Sequence, residues 1–238
     1  MKENAIENKI DLNVIYEDNH IIVVEKTVNI PSQGDKTGDI DMLTIVKQYL
    51  KEKYNKPGNV YLGLVHRLDR PVGGVMVFAK TSKAAARLSE QVREKIFKKK
   101  YLVIANGKFN KNSGILEDYL LKNEKNNMSK SVPEGTENAK YSKLEYEVLK
   151  YDSDLDLSVL RINLYTGRHH QIRVQLSSRG HSIYGDQKYG GRGHGKQICL
   201  WAYELTIMHP ITKEEMTFKA IPNKEKSWKI LEGIKGLD

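Results

Sequence analysis

One carboxylate, Asp69, stands between Arg67 and Arg70 in the run HRLDR at residues 66–70. Positive charge on both sides favours the ionised form, and an ionised loop carboxylate can act as a nucleophile or as a base. The competing reading is an ordinary turn carboxylate paired with a neighbouring arginine. A second cluster, TGRHHQIRVQL at residues 166–176, groups Arg168, His169, His170 and Arg173. Helical spacing puts His169 and Arg173 one turn apart, and cations at a helix N-terminus oppose its dipole unless an anion sits among them. A solvated basic helix face is the alternative. The third cluster is Lys98-Lys99-Lys100-Tyr101: charge that can follow phosphates beside a ring that can stack on a base. A charged helix end running into a half-buried strand tyrosine would look the same.

Other chemistries lack support. Cys199 is the only cysteine, which excludes an intramolecular disulfide and a multi-thiolate zinc site, and fits a reducing cytosol. The seven histidines include no HExxH pair, so no metal is expected. GGRGHGK at 190–196 has the spacing of a P-loop, yet Gln197 stands where the magnesium-binding Ser or Thr belongs, and no apolar strand precedes it. No apolar run reaches the length of a membrane span, and residues 1–13 do not read as a signal peptide, so a soluble cytoplasmic protein is expected. The 238 residues carry 39 Lys and Arg against 30 Asp and Glu, a formal net charge of +9. That excess points to an anionic partner, nucleic acid first, with a merely solubilising surface as the alternative.

The clusters fall at the junctions of regular elements. After a frayed segment at 1–13, Val14 to Lys26 predicts a hairpin turning at Asp18-Asn19. A helix is expected from Met42 to Tyr54, stopped by Pro57-Gly58, with Leu43, Val46 and Leu50 on one face. Two β-rich runs between Val60 and Lys80 are interrupted by HRLDRPVGG, so Asp69 belongs to a loop between strands. Thr81 or Ser82 caps a helix from about Lys83 to Phe97 whose buried stripe is Ala85, Leu88, Val92 and Ile96. A strand follows at Tyr101 to Asn106. Residues 107–140 are rich in Asn, Lys, Ser and Glu and read as a mobile surface excursion without firm structure. Lys143 to Lys150 and Leu157 to Tyr165 form a long hairpin, and a helix from about His169 to Ser178 stops at Gly180. Strands at Gln197 to Met208 and Glu215 to Ile221 complete an α+β pattern around a largely antiparallel sheet.

Together these segments resemble the RluA family of pseudouridine synthases, from about Val14 to Ile221. The resemblance is carried by HRLDRPVGGVMVFAKTSKAA at 66–85, KKYLVIANG at 99–107, and TGRHHQIRVQL with GHSIYGDQKYG at 166–190. It implies the synthase catalytic fold, a mixed, largely antiparallel central sheet flanked by helices and loops, with residues 14–238 as one catalytic domain. It also implies isomerisation of uridine to pseudouridine in RNA without metal or organic cofactor, large-subunit rRNA being the first target expected and tRNA the alternative. Asp69 matches the family's catalytic aspartate, as nucleophile or as an aid to glycosidic cleavage. Arg173 matches the arginine paired with it, Tyr101 the aromatic residue that packs on the flipped base, and Arg67 a residue that fills the gap left in the RNA. Charge adds His66, Arg70, Lys98, Lys99, Lys100, Arg168, His169 and His170 as expected RNA contacts.

The rivals are a non-catalytic RNA-binding protein on the same fold, and a nuclease or glycosidase, for which the motifs are expected to lack a second acidic residue. Pro71-Val72-Gly73-Gly74 departs from the family's usual turn, and Thr27 stands where a proline is common. Only about 13 residues precede the first strand, so target choice is expected to rest on the catalytic body and its loops, or on the fold of the rRNA or tRNA itself, instead of an N-terminal RNA-binding domain. A monomer without a membrane or an obligate protein partner is expected.

Overall fold

The computed structural model describes residues 12–190 and 196–237. Most of the expected frayed N-terminus and most of GGRGHGK lie outside them. The opening hairpin forms as expected. Strands β1 (Val14–Glu17) and β2 (Ile21–Lys26) turn at Asp18, whose carboxylate accepts the backbone N–H groups of His20 and Ile21.

Asp41 caps α1 (Met42–Lys53), its side chain accepting the Thr44 N–H at 3.0 Å. The helix stops before the Pro-Gly pair, because Asn55 takes a left-handed conformation at φ 47° and the Lys56 N–H closes onto the Lys51 carbonyl. Strands β3 (Gly63–Leu64) and β4 (Gly73–Ala79) flank the Asp69 loop. Thr81 caps α2 (Ser82–Arg93), which ends four residues earlier than expected. Lys95 adopts φ 60° and the Ile96 N–H bonds to the Gln91 carbonyl, the closure normally made by glycine or asparagine. Ile96 therefore leaves the helical stripe and is 39% exposed, while Phe97 turns inward.

Strand β5 (Lys98–Asn106) is followed by β6 (Ser113–Asn123), β7 (Met128–Val132), β8 (Lys140–Asp152) and β9 (Leu157–Leu164). The segment expected to lack structure is thus a β-hairpin. Its composition is that of a surface, since in β6 only Leu116 and Leu120 are buried. What makes it strand is pairing with β8, from Ser113–Glu147 to Leu120–Lys140, a partner distant in sequence. Helix α3 spans Gln171–Ser177, and β10 (Leu200–Met208) and β11 (Glu215–Lys219) precede a 3-10 turn at Lys226–Leu231.

Among the described residues eleven strands form one sheet, ordered β1-β2-β4-β10-β5-β9-β8-β6-β7, with β3 on β4 and β11 on β10. Only β4 and β10 are parallel. A Cβ on Gly73 would lie 2.3 Å from the Trp201 ring, and one on Gly74, at φ 119°, 2.2 Å from the Ala202 carbonyl, so the paired glycines let these strands meet. The central strands are buried on both faces. Ile22, Val24, Met76 and Phe78 pack with α1 and α3, whereas Ile21, Val23, Val75 and Val77 pack with α2. Double burial explains why β2 and β4 read as continuous apolar runs. The fold is α+β with a mixed, mostly antiparallel sheet, and no helix among the described residues is long and apolar enough to cross a membrane.

Candidate active site

The loop at 65–72 is a connection with no regular structure, yet the backbone from Leu68 to Val72 is tied at every carbonyl. Ser32 Oγ accepts the Leu68 N–H at 3.1 Å and donates to the Leu68 carbonyl at 2.8 Å. The Val72 N–H closes a turn on the Asp69 carbonyl. Lys26 Nζ reaches the carbonyls of Arg70 at 3.0 Å and Val72 at 2.7 Å, and Gln197 Nε2 donates to Pro71 at 2.6 Å. Lys26 is fully buried at the end of β2; burial lowers its pKa to about 7, while the charge of Asp69 pulls it back up. Its third hydrogen bond goes to the Thr27 carbonyl, so all three ammonium protons have acceptors.

Asp69 projects from this clamped loop with its side chain 31% exposed. Its Oδ2 accepts from Arg173 Nη1 at 3.3 Å and lies 3.6 Å from His170 Nε2, while its Oδ1 has no partner among the described residues. Arg173 spends the rest of its guanidinium on Asp186, Nε to Oδ2 at 2.8 Å and Nη2 to Oδ1 at 2.7 Å, and sits over the Tyr189 ring. Burial opposes the Arg173 charge, but Asp186 and then Asp69 outweigh it and hold the pKa above the usual arginine value. The anion that the basic cluster calls for is therefore supplied by the chain itself. Asp186 also corrects the expectation of no second acidic residue in the motifs: it stands in GHSIYGDQKYG, with its side chain fully buried and both oxygens engaged. With both oxygens so engaged it is not free to partner Asp69 in the way a glycosidase pair requires.

The expected helix over His169 begins two residues later. His170 caps α3 in a left-handed conformation, and the His169 ring stacks on it at 3.7 Å. On β5 the strand period of two divides the basic run. Lys99 and Tyr101 face the cleft. Lys98 and Lys100 lie on the other face, paired with Glu215 at 2.8 Å and Glu204 at 2.7 Å. Burial first, and the charge of Asp69 second, raise the Tyr101 phenol above its ordinary value, so its O–H stays protonated. His66 lines the cleft but acts as a strut: Nε2 accepts the Val77 N–H at 3.1 Å, and burial, then Lys99, push its pKa down to about 3. Arg70 is engaged by the Asn29 carbonyl, Thr37, Asp35 and Asp39, whereas Arg67 is exposed at the mouth. Arg168 also lines the cleft, its Nε held by the Tyr141 carbonyl. The whole cleft measures about 1280 Å3 and is lined, among the described residues, by ten Lys or Arg against three Asp.

The family model described as RNA pseudouridylate synthase matches residues 20–178. The dual-specificity RNA pseudouridine synthase RluA of Escherichia coli O157:H7 is 33% identical over 213 residues, covering 87% of this chain and 91% of that protein. The chain belongs to the RluA family of pseudouridine synthases. As a family member it is an isomerase that acts on uridines in RNA. Ribosomal large subunit pseudouridine synthase C of Vibrio vulnificus is 31% identical over 245 residues, or 98% of this chain and 72% of that one. The fold matches the solved structure of human RNA Pseudouridylate Synthase Domain Containing 4 with a TM-score of 0.74 at 21% identity, over 88% of each chain.

Sequence reasoning about this synthase brings Asp69, Arg173, Tyr101 and Arg67 to the cleft but misses Lys26, Ser32, Tyr189 and Gln197. Lys26 leaves one signal, a lysine at the end of a strand that opens with four apolar residues, IIVVEK. Ser32 and Gln197 leave none, since each acts on a backbone group brought near only by the fold.

Proposed function

We propose that the enzyme isomerises specific uridines of structured RNA, large-subunit rRNA first, with Asp69 as the group that acts on a flipped-out nucleotide. The observation that carries this is the environment of Asp69: one oxygen held by Arg173, the other directed to no protein partner, on the floor of a basic cleft. A base can be detached and rotated only outside its stack, so the site must supply a ring to pack on it, cations for the flanking phosphates and one reactive group. Tyr101, neutral and buried, serves as the ring, and Arg67, which lines the same cleft, as the group that fills the space the nucleotide leaves. Asp69 serves as nucleophile or assists glycosidic cleavage; the N1–C1′ bond breaks, the base rejoins C1′ through C5, the C5 proton passes to water and N1 takes up a proton. The large-subunit target is supported by the name of the Vibrio relative. The working unit is taken to be a cytoplasmic monomer.

The test is release of tritium from C5-labelled uridine in rRNA and tRNA transcripts and in ribosomal particles, with sites mapped, for wild type and Asp69→Asn. Release at discrete uridines by wild type alone, with RNA affinity of the variant within about twofold, is the expected result. An active Asp69→Asn removes the assignment of Asp69, and a wild type that binds every RNA but releases nothing favours the non-catalytic rival.

A further inference from the structure

The imidazole ahead of α3 is wired to the β6–β7 hairpin on one side and faces Asp69 on the other. The Ser129 N–H of β7 donates to the Tyr189 hydroxyl at 2.8 Å, and that hydroxyl lies 2.8 Å from His170 Nδ1. The phenolic oxygen accepts from Ser129, and its single proton can be given to Nδ1. Nδ1 is then the acceptor, and the neutral ring carries its own proton on Nε2. Nε2 is the atom 3.6 Å from Asp69 Oδ2, the oxygen that Arg173 also holds. Burial, then the charge of Arg173, keeps the His170 pKa at about 2, so the ring is neutral wherever the enzyme works. A left-handed backbone at φ 54° aims it, and the stacked His169, whose Nδ1 is 2.9 Å from Ser129 Oγ, closes its other face.

We propose that His170 is a positioning residue for Asp69: a neutral imidazole, its tautomer set by Tyr189 and Ser129, whose Nε2–H joins Arg173 on Oδ2 and so turns Oδ1 toward the RNA. This rests on Asp69 being the reacting group. The charged and titratable neighbours of Asp69 are Arg173, His170 and His169 at α3, Tyr189, Lys26 from β2 and Tyr101 from β5. His170 is faced in addition by His169, Tyr189, Lys122 of β6 and Lys188. His170→Phe and His170→Gln leave every one of these other than His170 in place, so the difference between their rates reads the His170 contribution.

Single-turnover rates and RNA affinities are measured for wild type, Asp69→Asn, His170→Phe, His170→Gln and Tyr189→Phe on an RNA that wild type converts. His170→Phe is expected to slow turnover about 10- to 100-fold with affinity within about twofold, since it removes a group that orients the reacting one. His170→Gln restores an N–H and recovers most of the rate, and Tyr189→Phe, which keeps the imidazole but frees its tautomer, falls between. A wild-type rate in His170→Phe overturns the proposal, as does a His170→Gln as slow as His170→Phe. If His170→Phe does not fold, Tyr189→Phe decides by the same criterion. An active Asp69→Asn would remove the underlying reading; an inert Asp69→Asn beside a normal His170→Phe removes only this one.

Discussion

The floor and the rim of the cleft are held by opposite means. At the floor, Asp69 rises from a backbone clamped by Ser32, Lys26 and Gln197, and its arginine is locked to a buried carboxylate. At the rim, the Arg67 and Lys95 side chains make no ion pair or hydrogen bond among the described residues, and Lys122 and Lys188 are tethered only at exposed sites. HRLDR contains both conditions, since Arg70 is engaged by the 29–39 segment while Arg67, three residues earlier, has no such partner among the described residues. A group that must meet one atom needs a fixed backbone; a charge that must follow a flexible phosphate chain works better on a loose stem.

The comparison breaks most easily at Arg173. Arg173→Met leaves Asp186 buried without its partner, and the expected loss is about 3–5 kcal/mol in urea unfolding together with activity. Unchanged stability would mean the floor is not held by this pair. Lys26→Met should be milder, because it strands three carbonyls rather than a buried charge. A loss of about 1–3 kcal/mol is expected, with turnover falling more than RNA affinity as the Asp69 loop slackens. The smallest effect belongs to the rim. Arg67→Gln should reduce the slope of log affinity against log salt by about 0.7, the share of one single-strand phosphate contact, and leave stability unchanged. Lys98→Gln with Lys100→Gln should leave that slope as it is, since both lysines are paired on the far face. A slope that responds to this pair instead of Arg67 would reverse the assignment of the rim.

Local signals carried far in this chain. The Asp18 turn, the Asp41 and Thr81 caps and the double-sided apolar strands are all written within a few residues of where they act. The alternation that separates Lys99 from Lys98 and Lys100 is equally local, but which face looks into the cleft depends on β9 and β10, which flank β5. The β6–β7 hairpin hid behind a polar composition because its stabilising partner, β8, lies further along the chain. The end of α2 was hidden for another reason: a lysine takes the left-handed position, a residue type that gives no such warning. At the site, reactive side chains were legible as motifs, whereas their supports were not, because a hydrogen bond from Gln197 to a carbonyl at Pro71 leaves no trace in either segment.

The insertion of β10 between β4 and β5 also governs when the molecule can exist. Both neighbours leave the ribosome long before residue 200, and until β10 arrives each offers an open edge on which another chain can pair. The β4–β10 pairing is the most distant in sequence among the strand pairs described, which makes for slow folding and an aggregation-exposed nascent chain. Gln197, immediately ahead of β10, is the final hand on the Asp69 loop. The enzyme therefore has no working site while it is being synthesised, and its chemistry begins only when its last strands are threaded into the middle of the sheet.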